Sequence, residues 1–346
     1  MIFTSDNWAG AHPAVSAALS AAADGFAPAY GASDIDRRVA ARFSEIFERE
    51  VSVFYVSTGT AANSLAMAAV NRPGGHVFCH REAHAAVDEC SAPQFFAHGS
   101  RLTDIPGTLG RIDPAALEAT IGSVASGRAA GGQPMAVTIT QATESGTVYG
   151  LDDIATMGDI CSRFDLPLHM DGARFANALV SLGTTPAEMT WKRGVTHLSF
   201  GGTKNGCWMA EALIIFDPDK TRDLPFIHKQ SAQVISKSRF VSAQFEAYLT
   251  DDLWLTLAGR ANGTAARLAE GMRRSRTARL AWEPQANEVF AILPTETAAA
   301  LRANGAAFYE WPIPADIAVS EGADLYRFVT SFATTEADVD HLLALL

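Results

Sequence analysis

The chain has 346 residues, 48% of them hydrophobic and 19% charged, with a net charge of −11 at pH 7. This length supports a large core and a second, smaller domain, and the composition is that of a soluble globular enzyme. The acidic balance argues against a nucleic-acid partner, which requires concentrated Lys and Arg, and no apolar run reaches the roughly 18 residues of a membrane helix.

The opening Met1-Ile2-Phe3-Thr4-Ser5-Asp6 lacks the basic start of a signal peptide, so a cytoplasmic protein is expected. Cys79, Cys90, Cys161 and Cys207 contain no Cys-x-x-Cys pair and read as buried thiols in a reducing compartment rather than a disulfide framework. The N-terminal segment is turn-rich around an Ala-rich helix from Pro13 to Ala23, and reads as a loose arm or as part of a site.

From Asp36 an amphipathic helix precedes the apolar strand Val51 to Val56, which ends in Ser57-Thr58-Gly59-Thr60 and enters the helix Ala61 to Val70. Alternation then continues through strands at His76 to Cys79, Gln94 to Ala97, Met135 to Ala142, Leu166 to Met170, Val195 to Phe200 and Ala212 to Phe216. The intervening helices are expected near His84 to Ser91 and at Pro114 to Gly122, Asp153 to Phe164 and Phe175 to Leu182. Strands alternating with helices predict an α/β fold with a mostly parallel sheet covered on both faces, whose ligands bind beyond the carboxyl ends of the strands. The pattern changes after about Phe240. A long helical region, clearest at Trp254 to Arg274, leads to strands near 278–282, 288–293, 307–311 and 326–332, with helices at 297–304 and 336–345. The expected division is a large domain over 1–240 and a small C-terminal α+β domain over 241–346.

Three stretches at strand ends carry the chemistry. Gly201-Gly202-Thr203-Lys204-Asn205-Gly206 sets one lysine among small residues after an apolar run, where a partly dehydrated amine becomes a Schiff-base nucleophile. Asp171, in Asp171-Gly172-Ala173-Arg174, lies 33 residues earlier and suits a protonated ring nitrogen. Thr58-Gly59-Thr60 opens a helix, and a helix N-terminus offers free N–H groups and a positive dipole end to a phosphate. Together they point to pyridoxal 5′-phosphate (PLP). Read as a helix, His76, Cys79, His80 and His84 would form a metal-ligand face, but Gly75 to Cys79 patterns as a strand, which sends alternate side chains to opposite faces.

These motifs, with Ser5-Asp6, Tyr30-Gly31, Ala61-Ala62-Asn63, Glu82-x-His84 and Tyr326-Arg327-Phe328, resemble the L-threonine aldolase family, fold-type-I PLP enzymes that include phenylserine aldolases. The resemblance implies that Lys204 binds the cofactor covalently, that Asp171 pairs with its ring nitrogen, that His84 stacks on the ring, and that Gly59 and Thr60 hold its phosphate. It implies that Ser5, Arg174 and Arg327 hold the carboxylate of an amino-acid substrate and that Tyr30 lies near the site, in a homotetramer built from dimers. The implied reaction is cleavage of threonine, allo-threonine or phenylserine to glycine and an aldehyde, with His84 as the candidate base. Two departures stand out. Gly131-Gly132-Gln133-Pro134 lacks a histidine that many members carry there, and Gln141-Ala142-Thr143-Glu144-Ser145-Gly146 offers Glu144 where others have a histidine. Trp8, His12 and Phe95 are candidates for an aromatic pocket. A PLP-dependent β-eliminating lyase or aminotransferase is the competing activity.

Overall fold

The computed structural model describes residues 1–314 and 317–346. Seven strands form the main sheet: β1 (Ser52–Val56), β2 (Gly75–His80), β3 (Arg101–Ile105), β4 (Gln133–Thr140), β5 (Leu168–Gly172), β6 (Val195–Gly201) and β7 (Glu211–Ile215). Their order is β1-β7-β6-β5-β4-β2-β3, parallel from β6 through β3, with β7 antiparallel to both of its neighbours. Every residue of β2, β5 and β7 is buried, so their apolar stretches Val77-Phe78-Cys79 and Ala212-Leu213-Ile214-Ile215 show no polar alternation.

Helix α1 (Gly59–Ala69) lies on this sheet, and its small side chains let seven consecutive residues, Ala62 to Ala68, be buried. The run Gln94 to Ala97 is not the predicted strand. Ala92–Phe96 is a short helix opened by Pro93, which has no N–H to give a sheet ladder, and Phe95 stands 77% exposed. The strand beside β2 is β3, whose polar sequence Arg-Leu-Thr-Asp-Ile conceals it.

The second sheet is antiparallel, in the order β8 (Arg279–Leu280), β9 (Glu288–Pro294), β11 (Ala323–Val329), β10 (Tyr309–Glu310). Two expected strands shrink to two residues each, and that expected over 326–332 starts and ends three residues earlier. The N-terminal segment is no loose arm. The Phe3 N–H donates to the Ala307 carbonyl at 2.7 Å and the Phe3 carbonyl accepts from the Val329 N–H at 2.8 Å, stitching it to this sheet.

The two cores meet inside one helix. Helix α2 (Arg239–Leu249) and the start of α3 (Leu253–Arg274) supply Val241, Phe245, Tyr248, Trp254 and Leu257 to the first core, whereas Ala265, Leu268 and Met272 of α3 belong to the second. Residues 241–258, placed in the small domain on the sequence pattern, therefore pack against the large sheet.

Candidate active site

Lys204 sits three residues past the end of β6, in a turn that its neighbours hold in place. A Cβ on Gly201 would lie 2.7 Å from the Ala173 carbonyl oxygen, so only glycine lets β6 approach the segment after β5. Gly206 closes the turn at φ +108°. The Asn205 amide donates to Tyr248 Oη at 2.7 Å and to the Trp254 carbonyl at 2.9 Å, which ties the turn to α2 and α3. Lys204 Nζ itself makes no hydrogen bond or ion pair among the described residues, and it lines a cavity of about 230 Å³. Glu211, from β7, lines the same cavity and accepts from the Thr203 N–H at 3.2 Å. Burial pushes its carboxyl up to about 7 against the opposing pull of Thr203 and Lys204.

Asp171 lines the cavity from the end of β5. Its Oδ1 accepts from the Ala173 N–H at 3.1 Å and its Oδ2 from Asn63 Nδ2 at 2.9 Å. Asn63 projects from α1 and donates as well to Glu89 Oε1 at 2.8 Å, the same oxygen that lies 2.8 Å from His84 Nδ1. The hydrogen bond to Glu89 raises the His84 pKa above its ordinary value, burial opposes the rise, and the Glu144 and Asp171 carboxylates add to it.

Thr58 caps α1, its Oγ1 accepting from the Ala61 N–H at 3.1 Å, and Gly59 and Thr60 begin the helix with N–H groups that precede the first intrahelical bond. Ser57 is fixed by Gln233 Oε1, which accepts from its N–H at 3.1 Å and its hydroxyl at 2.9 Å. The cavity thus presents an unpartnered amine, a buried carboxylate and a helix N-terminus, which match the aldehyde carbon, the pyridine nitrogen and the phosphate of PLP. The residues fit the group.

The two arginines do not line this cavity and are already engaged. Arg174, after β5, grips Asp6 through Nε at 2.7 Å and Nη2 at 3.1 Å, and Asn287 donates to the same carboxylate at 3.0 Å. Burial would raise the Asp6 pKa, but Arg174, Lys204 and Asn287 hold it below the usual range. Arg327 reaches Glu288 Oε1 at 3.7 Å and lies 4.2 Å over the Trp311 ring, while Glu288 also lies 3.4 Å from Arg174. Neither Glu288 oxygen has a hydrogen-bond donor among the described residues, and burial pushes the carboxyl up to about 7 despite both guanidinium groups. Glu144, 9% exposed, is within electrostatic reach of Arg174, Glu288 and His84.

Lys204, Asp171, His84, Thr58, Gly59 and Thr60 therefore share one cavity, whereas Arg174, Arg327, Ser5 and Tyr30 do not line it. Ser5 uses its Oγ to accept from the Asn7 N–H at 3.2 Å. Tyr30 is exposed and lines a separate cavity of about 490 Å³ with Asp36, Tyr55, Lys229 and Ser238. Trp8, His12 and Phe95 form no aromatic wall of the Lys204 cavity. His76 and His80 lie on β2, and His76 contacts Thr103 Oγ1 at 2.8 Å and the Gly131 carbonyl at 2.9 Å; no three ligating side chains come together among the described residues. Cys79, Cys161 and Cys207 are buried, but Cys90 is exposed, in a turn at φ 47°.

Asp6, Asn63, Glu89, Glu211 and Glu288 escape sequence reasoning as site groups. Asp6 and Asn63 stand inside recognisable motifs, but nothing local marks Glu89, Glu211 or Glu288 as buried.

Residues 3–295 match the family model described as beta-eliminating lyase. Over 334 residues the chain is 41% identical to a low specificity L-threonine aldolase of Pseudomonas aeruginosa, covering 96% of this chain and 93% of that protein. A second low specificity L-threonine aldolase, from a Pseudomonas species, is 39% identical over 99% of this chain and 96% of its own. A solved threonine aldolase structure from Leishmania major superposes with a TM-score of 0.91 at 27% identity, covering 99% of this chain and 98% of that one.

Proposed function

We infer the reaction from a premise that these matches establish: the chain belongs to the β-eliminating lyase family and, within it, to the L-threonine aldolases. It is a PLP-dependent aldehyde-lyase that cleaves a β-hydroxy-α-amino acid such as L-threonine or L-allo-threonine between Cα and Cβ, releasing glycine and an aldehyde. The observation that supports this for the residues themselves is the single cavity lined by Lys204, Asp171, His84 and the first turn of α1.

Bound there, PLP supplies an electron sink for the pair released when the Cα–Cβ bond breaks. The chain does the rest. Lys204 would hold the cofactor through its amine, the one cavity-lining amine without a partner among the described residues. Asp171, braced by Asn63 and the Ala173 N–H, stabilises a proton on the pyridine nitrogen. The helix N-terminus at Thr58, Gly59 and Thr60 binds the phosphate through its N–H groups and dipole. Arg174 and Arg327, with Ser5, bind the substrate carboxylate, a role suited to rigid bidentate forks, and so set which bond to Cα stands in line to break. His84 takes the proton from the β-hydroxyl.

The aromatic substrate phenylserine remains within this class. We place the enzyme in the cytoplasm, where its buried free thiols suit a reducing compartment, and as a homotetramer of two dimers with shared sites. The test is product analysis after incubation of the PLP-loaded protein with L-threonine, L-allo-threonine and L-phenylserine. Glycine and the matching aldehyde are expected; ammonia with an α-keto acid would replace the aldolase by a β-eliminating lyase.

A further inference from the structure

His84 begins a four-residue helix, His84–Val87, that has no side-chain cap, so its own element does little to orient the imidazole. The group that does so is Glu89. Its side chain is fully buried at the wall of the cavity, and its Oε1 meets both His84 Nδ1 and Asn63 Nδ2 at 2.8 Å. Immediately after it, Cys90 at φ 47° and Ser91 at φ 61° place two successive non-glycine residues in the left-handed region, a costly turn that folds the carboxylate inward.

The direction of each bond in this chain follows from what the groups are able to do. An ionised carboxylate only accepts and an amide NH2 only donates, so Asn63 spends one hydrogen on Glu89 and the other on Asp171 Oδ2 at 2.9 Å. The proton between Glu89 and His84 must then come from His84 Nδ1. In the neutral ring this leaves Nε2 as the acceptor. We propose that Glu89 is a positioning residue for the reaction: it locks His84 as the tautomer whose Nε2 accepts the β-hydroxyl proton, and through Asn63 it joins that base to Asp171 at the cofactor. The proposal rests on the aldolase reading above.

The charged groups facing His84 are Glu89, Glu144 and Asp171, which favour its protonated form, and Lys204, which opposes it. Glu89→Gln keeps the shape and removes the charge. His84 then becomes a weaker base, so the acid limb of the kcat/KM profile moves to lower pH while kcat falls by about 10- to 100-fold, with KM changed much less. Glu89→Asp, which restores the charge on a shorter stem, recovers part of kcat and returns the limb toward its original pH.

The activity arm is joined by one that needs no turnover. In the protein freed of cofactor, the His84 imidazole, identified by its loss in His84→Asn, is titrated by NMR in the wild type, Glu89→Gln and Glu89→Asp. The expected result is an Nδ1-protonated neutral ring in the wild type and a lowered His84 pKa in Glu89→Gln. An unchanged titration overturns the proposal. So does a Glu89→Gln protein that loses activity with its pH limb unmoved and without recovery in Glu89→Asp, which marks a purely structural carboxylate. If no β-hydroxy amino acid is cleaved by the wild type, the aldolase reading fails, and the NMR titration still decides the coupling of Glu89 to His84.

Discussion

The two halves of the candidate site are built on different plans. Around Lys204 the polar groups converge on open space: an amine without a partner, a carboxylate held by its rim, and the first turn of α1 with free N–H groups. Around Arg174 and Arg327 the space is closed, because Asp6 occupies one fork and Glu288 lies between the two guanidinium groups. The first half draws on strand ends of one mostly parallel sheet, whose spacing is set by backbone hydrogen bonds. The second spans both sheets, joining the N-terminal segment and the turn after β5 to β9 and β11. A rigid flat cofactor thus matches a preformed cavity, whereas Arg174 and Arg327, proposed above to bind the substrate carboxylate, would have to exchange their present partners to receive it.

The largest test of this contrast is Lys204→Ala, which should abolish turnover and the absorbance of bound cofactor while the fold persists, since the side chain has no partner to lose. Full absorbance in the variant would remove Lys204 from its role. Next comes Glu288. Its carboxyl is raised from 4.5 to about 7, so the folded chain holds this proton more tightly than the unfolded one, and stability falls as pH rises between those values, by about 3 kcal/mol for the group considered alone. In Glu288→Gln that pH-dependent loss should vanish, so the melting temperature of the variant gains on the wild type from pH 4.5 to 7; parallel curves would show that Glu288 stays ionised between its arginines. The smallest effect is expected from Arg327→Ala, which removes a charged hydrogen-bonding fork worth about 1.5–3 kcal/mol, raising KM by about 10- to 100-fold. An unchanged KM would leave carboxylate binding to Arg174 alone.

The same contrast governs what can be read from residues alone. Lys204, Asp171 and Thr58 to Thr60 are legible because each follows a strand-like apolar run and is flanked by small residues, a local mark. The mostly parallel sheet is legible for a related reason, since short strand-like segments alternate with helix-like ones along the first two thirds of the chain. Glu89, Glu211 and Glu288 carry no such mark. A glutamate near the end of a polar turn, or at the first position of a strand, has the same local signature whether it faces water or two arginines, and only the pairing of β9 with β11 brings Glu288 beside Arg327. The missed strand β3 fails likewise, because an edge strand with polar side chains lacks the period that a central strand shows.

Helix α3 has a further consequence for anyone who would recombine this protein with a distant relative. A joint at residue 240 would leave Val241, Phe245, Tyr248 and Leu249 as a greasy stripe on one piece and an empty trench on the other. The two units are interlocking carpentry rather than exchangeable cassettes. A chimera that respects the grain of the molecule has to splice within the helix itself, between Ala258 and Ala265, where the rod passes from one interior to the next.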